Sequence, residues 1–180
     1  VLAASMFAML LTGCGGGNQG SAEGSQAAAI GQGVAEAESC IKIGVSGTPD
    51  LDPAIVNTGS SLIAAINIYD TLIFPSNEAD EGVIPRVAED WTISEDGLTY
   101  TFNLKKGIKF HNGDELTASD VVYSMDRLLT IGEGYAYIFT SYVEPGTTVA
   151  VDDYTVEFHL KQAYGPFINA LVRLYILNED

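Results

Sequence analysis

From position 41 onward the chain shows two hydrophobic spacings, one of period two and one near 3.6, separated by short runs of turn-forming residues. Ile41, Ile43 and Val45 alternate with Lys42 and Gly44, which predicts a short strand. The turn-rich stretch 46–53 (SGTPDLDP) then ends it in a loop. Leu62, Ile66, Tyr69 and Ile73 recur at spacings of four, three and four, so a helix is expected over about 60–73. Ser60 or Ser61 would cap it and Phe74-Pro75 would end it. Segments 91–94 and 98–104 predict two strands joined at Glu95-Asp96-Gly97, with Tyr100, Phe102 and Leu104 on one face. A further short strand is expected at 108–110, followed by a turn at His111-Asn112-Gly113-Asp114. Thr117 opens a helix in which Asp120 completes a capping box, Val121, Met125, Leu128 and Leu129 form the buried face, and Gly132 and Gly134 stop it. Segments 149–151 and 154–160 form a second hairpin with Val156, Phe158 and Leu160 inward. Pro166 starts a last helix with Phe167, Ala170, Leu171 and Leu174 on one side. These elements add up to an α+β lobe with mainly antiparallel strands.

The first forty residues follow a different logic. Residues 1–11 (VLAASMFAMLL) are apolar except for the small Ser5. That is too short for a hydrocarbon core of about 30 Å, which needs about 20 residues. It has the length of a signal-peptide hydrophobic region, without the basic segment that normally precedes one. Leu11-Thr12-Gly13-Cys14 follows at once and resembles a bacterial lipobox, which makes Cys14 the expected lipidation site and 1–14 a lipoprotein signal peptide. Residues 15–40 are mostly Gly, Ser, Ala, Gln and Asn, with little to bury, and read as a flexible tether. With Cys14 committed to lipid, Cys40 is incidental or pairs beyond residue 180. The chain opens on Val1 and stops at Asp180 directly behind an apolar helical run, so it is expected to be a piece of a longer protein at both ends.

Charge narrows the function. The formal net charge is -16, and a surface of that sign repels phosphate backbones, which argues against a nucleic-acid partner. No enzyme constellation is visible. His111 falls in a turn and His159 on the polar face of a strand beside Glu157, neither with a second ligand at metal spacing. Gly15-Gly16-Gly17 lies in the tether and is no phosphate loop. No cofactor, metal or catalytic residue is expected.

The stretch 85–127, PRVAEDWTISEDGLTYTFNLKKGIKFHNGDELTASDVVYSMDR, closely resembles the signature of the peptide/nickel-type extracytoplasmic solute-binding proteins (family 5). Leu51-Asp52-Pro53, Asp152-Asp153-Tyr154-Thr155-Val156 and Tyr164-Gly165-Pro166-Phe167 resemble other parts of that family's pattern. Asn112 and Leu116 depart from it, where Asp and Pro are commoner. Most of the signature residues are what a hairpin and a capped helix need, so they identify a fold more than a ligand.

The resemblance implies the N-terminal part of a two-lobed, class II periplasmic-binding-protein-like fold with an extra inserted domain, closing over its ligand about a hinge. On that pattern 41–60 starts the first lobe, 61–165 is the inserted domain and 166–180 starts the return, with the opposing lobe beyond Asp180. It also implies a lipid-anchored extracytoplasmic receptor that binds small peptides and delivers them to an ABC permease and ATPase complex. Related cargoes (a nickel chelate, haem, an opine, an oligosaccharide) and a sensor role without transport are the alternatives. Asn57, Thr58 and Gly59 fall where the family lines its cleft, and their exposed polar groups suit a peptide main chain. Thr58-Gly59 suits a plain helix cap equally well. Tyr135, with Tyr137 beside it, falls where the family places a cleft aromatic, and ordinary packing under a loop remains the other reading.

Overall fold

The structure, a computed structural model, describes residues 42–79 and 82–180. Ile41, the expected signal peptide with Cys14, the tether 15–40 and Cys40 lie outside the described residues. Residues 42–45 form no strand, contrary to their alternation. Ile43 is 59% exposed, and alternation without a hydrogen-bonded neighbour does not make a strand.

Helix α1 (Gly59–Ile68) is shorter than its hydrophobic period suggests, and its N-cap is Thr58 instead of either serine. The Thr58 hydroxyl oxygen accepts from the Ser61 N–H at 3.2 Å. The helix buries Ser60, Ser61 and Ala65, while the expected apolar face is half-buried at Leu62 and exposed at Ile66. It ends at Tyr69, whose backbone is already extended. Ile73 and Phe74-Pro75 belong to β1 (Ile73–Pro75), which pairs antiparallel with β2 (Val83–Pro85). Strand pairing therefore claims the residues that the 3.6-residue period assigns to the helix.

The main sheet has the order β3-β4-β6-β5, antiparallel throughout: β3 (Ala88–Ile93), β4 (Thr99–Leu104), β5 (Thr148–Asp152) and β6 (Thr155–His159). Both expected hairpins are present, and β3 begins three residues earlier than its pattern, through a bulge between Ala88 and Asp90. The first hairpin turns at Gly97, φ +69°, with its N–H donating to Ser94 at 2.9 Å. The expected strand at 108–110 reduces to a single bridge between Lys109 and Glu115.

Between the hairpins lies α2 (Ala118–Ile131). The buried Asp120 carboxylate accepts from the Thr117 N–H at 2.8 Å, and Gly132 closes the helix in the left-handed conformation. Val121, Met125, Leu128 and Leu129 are buried as their spacing predicts. The last helix is only α3 (Phe167–Ala170), continued by a 3₁₀ turn at Leu171–Arg173. It carries Phe167 into the core, where the ring meets Tyr100, Phe139 and Phe158 at centroid distances of 4.8, 6.3 and 5.6 Å. Aromatic packing of this kind locks α3 onto the sheet. The chain then returns alongside the segment that follows α1. Thr71 pairs antiparallel with Tyr175, and the Ile176 N–H donates to Asp70 at 3.0 Å.

Candidate functional site

Two segments far apart in sequence meet on one small apolar cluster. Val56, Ala65 and Tyr175 are buried together, with Leu62, Tyr69 and Tyr135 packed against them. Val56 directly precedes Asn57, Thr58 and Gly59, so all four expected ligand-binding residues lie on or beside this cluster. The approach is unusually close. Gly134 has φ +53°, and a Cβ placed on it would stand 2.7 Å from the Ala54 carbonyl oxygen and 3.1 Å from that of Val56. Glycine is what lets the Tyr135 loop sit against the 54–56 backbone.

Asn57, Thr58 and Gly59 are exposed. The Thr58 side chain is engaged in starting α1, accepting from the Ser61 N–H and donating to Ser61 Oγ at 2.8 Å. Among the described residues the Asn57 amide has no hydrogen-bond partner, and the space around Gly59 is open to at least 4 Å. Tyr135 is half-buried, its ring 6.5 Å from that of Tyr137, which is 71% exposed.

The loop that presents Asn57 is braced from several directions. Arg127 on α2 donates to both Asp52 oxygens, at 2.7 and 2.6 Å. Asp52 also accepts from the Ala54 N–H at 3.0 Å, and the Tyr69 hydroxyl donates to the Leu51 carbonyl at 2.8 Å. Upstream, the Ser60 hydroxyl donates to the Ser46 carbonyl at 2.6 Å, and Ser61 Oγ accepts from the Asp50 N–H at 2.9 Å. Hydrogen bonding to Arg127 holds the Asp52 carboxyl below its ordinary value, against the opposing pull of partial burial. The same contact raises Arg127.

Arg173 and Tyr175 complete the neighbourhood. The Arg173 guanidinium lies 5.0 Å from the centroid of the Tyr135 ring. Arg173 also borders a groove of about 310 Å³ beside α1, whose wall includes Leu62, Ile66, Tyr69, Val172 and Tyr175. The Tyr175 hydroxyl is buried without a hydrogen-bond partner among the described residues. Burial raises its pKa, and the nearby Arg173 works against that rise. Neither residue stands out by period. The available signal is that 167–177 is an apolar run interrupted only by Asn169 and Arg173.

The histidines stand apart. His111 is exposed in its turn, and His159 lies on the sheet with Nε2 3.4 Å from a Glu157 oxygen. Among the described residues, no three His, Cys, Asp or Glu side chains group as metal ligands.

Residues 82–179 match the sequence profile of the bacterial extracellular solute-binding proteins, family 5 middle region. Over 136 residues the chain is 32% identical to the di/tripeptide-binding protein 1 of Pseudomonas aeruginosa, covering 67% of this chain and 25% of that protein. Over 141 residues it is 36% identical to the dipeptide-binding protein of Escherichia coli, covering 68% and 26%. The chain thus spans about a quarter of the length of these relatives. The fold resembles the ABC transporter-associated periplasmic binding protein DppA from Helicobacter pylori in complex with the peptide STSA. That match has a TM-score of 0.60 at 33% identity and covers 72% of this chain and 29% of that one. The α+β, antiparallel arrangement is therefore part of the two-lobed periplasmic-binding-protein architecture.

Proposed function

This chain belongs to the bacterial extracellular solute-binding proteins of family 5, and from that premise we propose that the protein is an extracytoplasmic, lipid-anchored receptor that captures small peptides and passes them to an ABC permease. Proteins of this family bind solutes for transport and are not enzymes. The observation that carries the peptide reading is the convergence of Asn57, Thr58, Gly59 and Tyr135 on the Val56 cluster, beside an apolar groove. In this reading Asn57 and the open backbone at Gly59 pair with the ligand main chain, and Tyr135 supplies apolar area. Thr58 contributes chiefly by holding the start of α1, since its hydroxyl is already engaged there.

The domain division follows the same reading: 41–60 opens the first lobe, 61–165 is inserted, and 166–180 begins the return. The antiparallel bridge between Thr71 and Tyr175 supports the return itself, since it lays the outgoing and returning chain side by side about ten residues beyond each of these boundaries. Delivery to a permease is aided by confinement to the membrane surface, for which the lipobox-like Leu11-Thr12-Gly13-Cys14 is the basis.

Titration calorimetry of the complete protein with a di- to pentapeptide pool tests the receptor role. Saturable binding is expected, and a complete absence of binding across the pool would overturn it. The anchor is tested separately by growth with labelled fatty acid. Label is expected on the wild-type protein and not on Cys14→Ala; label surviving the substitution would mean that the anchor lies elsewhere.

A further inference from the structure

Helix α2 uses two faces, and one of them is polar. Val121, Met125 and Leu128 turn to the core, while Asp120, Ser124 and Arg127, spaced four and three apart, share a second face. Each side chain of that second face holds a segment distant in sequence. Arg127 grips Asp52, Ser124 Oγ accepts from the Leu177 N–H at 2.8 Å, and an Asp120 carboxylate oxygen accepts from the Glu179 N–H at 3.1 Å. The Ile176 N–H turns the other way, to the Asp70 carbonyl. Residues 176–179 are thus held by backbone on one side and by helix side chains on the other. The Ser124 hydroxyl is set for this task. It donates to the Asp120 carbonyl at 2.6 Å, which commits its proton and leaves a lone pair for Leu177.

From Leu177 the contacts form a circuit that returns to the same helix. Two residues upstream, Tyr175 is buried in the Val56 cluster, with its ring 6.2 Å from that of Tyr69. The Tyr69 hydroxyl donates to the Leu51 carbonyl, and the next residue, Asp52, is held by Arg127, one turn along α2 from Ser124. Both halves of the candidate site hang on this circuit. Asn57 follows Val56 on the loop after Asp52, and Tyr135 follows α2 and packs against the same cluster. Each link restricts the others, so the spacing between the Asn57 loop and Tyr135 is set before a ligand arrives, and binding does not have to order it.

We infer that Ser124 is a positioning residue for peptide binding: through Leu177 and Tyr175 it fixes how far the Asn57 loop stands from Tyr135. Ser124 is 3% exposed and out of a ligand's reach, so its effect travels through the circuit. The role rests on the peptide-receptor reading and adds to it a buried residue that sets affinity without touching the ligand.

The test uses the complete protein as wild type, Ser124→Ala, Ser124→Thr, Asn57→Ala and the double variant of Ser124→Ala with Asn57→Ala. Ser124→Ala removes the hydroxyl but gains helix propensity, so its urea midpoint is expected to stay close to that of the wild type. Calorimetric titration with a di- to pentapeptide pool should show its affinity falling about fivefold to tenfold, the size of one ordinary hydrogen bond. Ser124→Thr keeps the hydroxyl and should recover most of that loss. The double variant should lose less than the product of the two single losses, because a displaced loop has already weakened the Asn57 contact. Amide exchange at Leu177 should be faster in Ser124→Ala than in the wild type, and slower in the wild type once peptide is bound. A Ser124→Ala variant that binds like the wild type, a Ser124→Thr variant as weak as Ser124→Ala, or losses that simply multiply overturn the role and leave the peptide reading standing. Should Ser124→Ala not fold, wild-type exchange at Leu177 decides, and no slowing by saturating peptide overturns the role. A wild type that binds nothing in the pool overturns both.

Discussion

Gly134 offers the sharpest test of how the site is assembled, because a control two residues away shares half of its physics. Both Gly132 and Gly134 have positive φ, at +73° and +53°. Alanine at either position meets left-handed strain of about 1 kcal/mol or somewhat more. Their surroundings differ. An added Cβ at Gly132 has the Leu129 carbonyl oxygen as its nearest neighbour, at 4.0 Å, which is ordinary contact. At Gly134 it meets the Ala54 carbonyl oxygen at 2.7 Å, the Ala54 carbonyl carbon at 3.1 Å and the Val56 carbonyl oxygen at 3.1 Å. These are backbone atoms, so no side-chain rotation relieves the clash and one of the two loops must move. Forced shifts of this kind cost about 1–3 kcal/mol. Gly132→Ala should therefore lose about 1 kcal/mol and Gly134→Ala about 2–4 kcal/mol. The two variants should be unfolded in urea beside the wild type and compared through their midpoints at a common slope. Peptide affinity should follow the same order, since the shift separates Tyr135 from the loop that carries Asn57. Equal losses from the two substitutions would refute the close approach as the reason for glycine at 134.

Two further outcomes follow from the same neighbourhood. Folding lowers the pKa of Asp52 below its ordinary 3.8, so its pairing with Arg127 stabilises fully above the unfolded value and fades as pH falls through the folded one. Asp52→Asn should therefore be less stable than wild type near neutral pH, and the gap should close in acid below about pH 4; a gap independent of pH would exclude this carboxylate as its source. Tyr175→Phe should leave stability unchanged or slightly raised, because it removes a buried hydroxyl that has no partner among the described residues. A loss of more than about 1 kcal/mol would mean that the hydroxyl has a partner in the working protein.

Much of the fold can be read along the chain because it rests on local rules. The hairpin β3–β4, the hairpin β5–β6 and helix α2 each combine a clear period with matching turn or cap chemistry, as at Gly97, Asp120 and Gly132. Residues up to four apart carry that information. The positions of Asn57, Thr58, Gly59 and Tyr135 as candidates came from the family resemblance, and period alone would not have marked them.

Where the tertiary structure decided otherwise, the deciding partner is distant in sequence. The period through Leu62, Ile66, Tyr69 and Ile73 points to a long helix, but Thr71 pairs with Tyr175 and Ile73 with Pro85, which ends α1 at Ile68. Residues 42–45 alternate like a strand and stay unpaired, since a strand exists only through its neighbour. Gly134 reads as a second helix stop, yet its closest constraint is the Ala54 carbonyl, eighty residues earlier. Arg173 looks like one polar residue in an apolar run until the fold lays it over Tyr135. Hydrophobic period records which face of an element avoids water, but says nothing about which distant backbone or ring will cover that face. That choice emerges only when β4, β6 and α3 close the core around Phe167 and bring positions 54, 135 and 173 into one place.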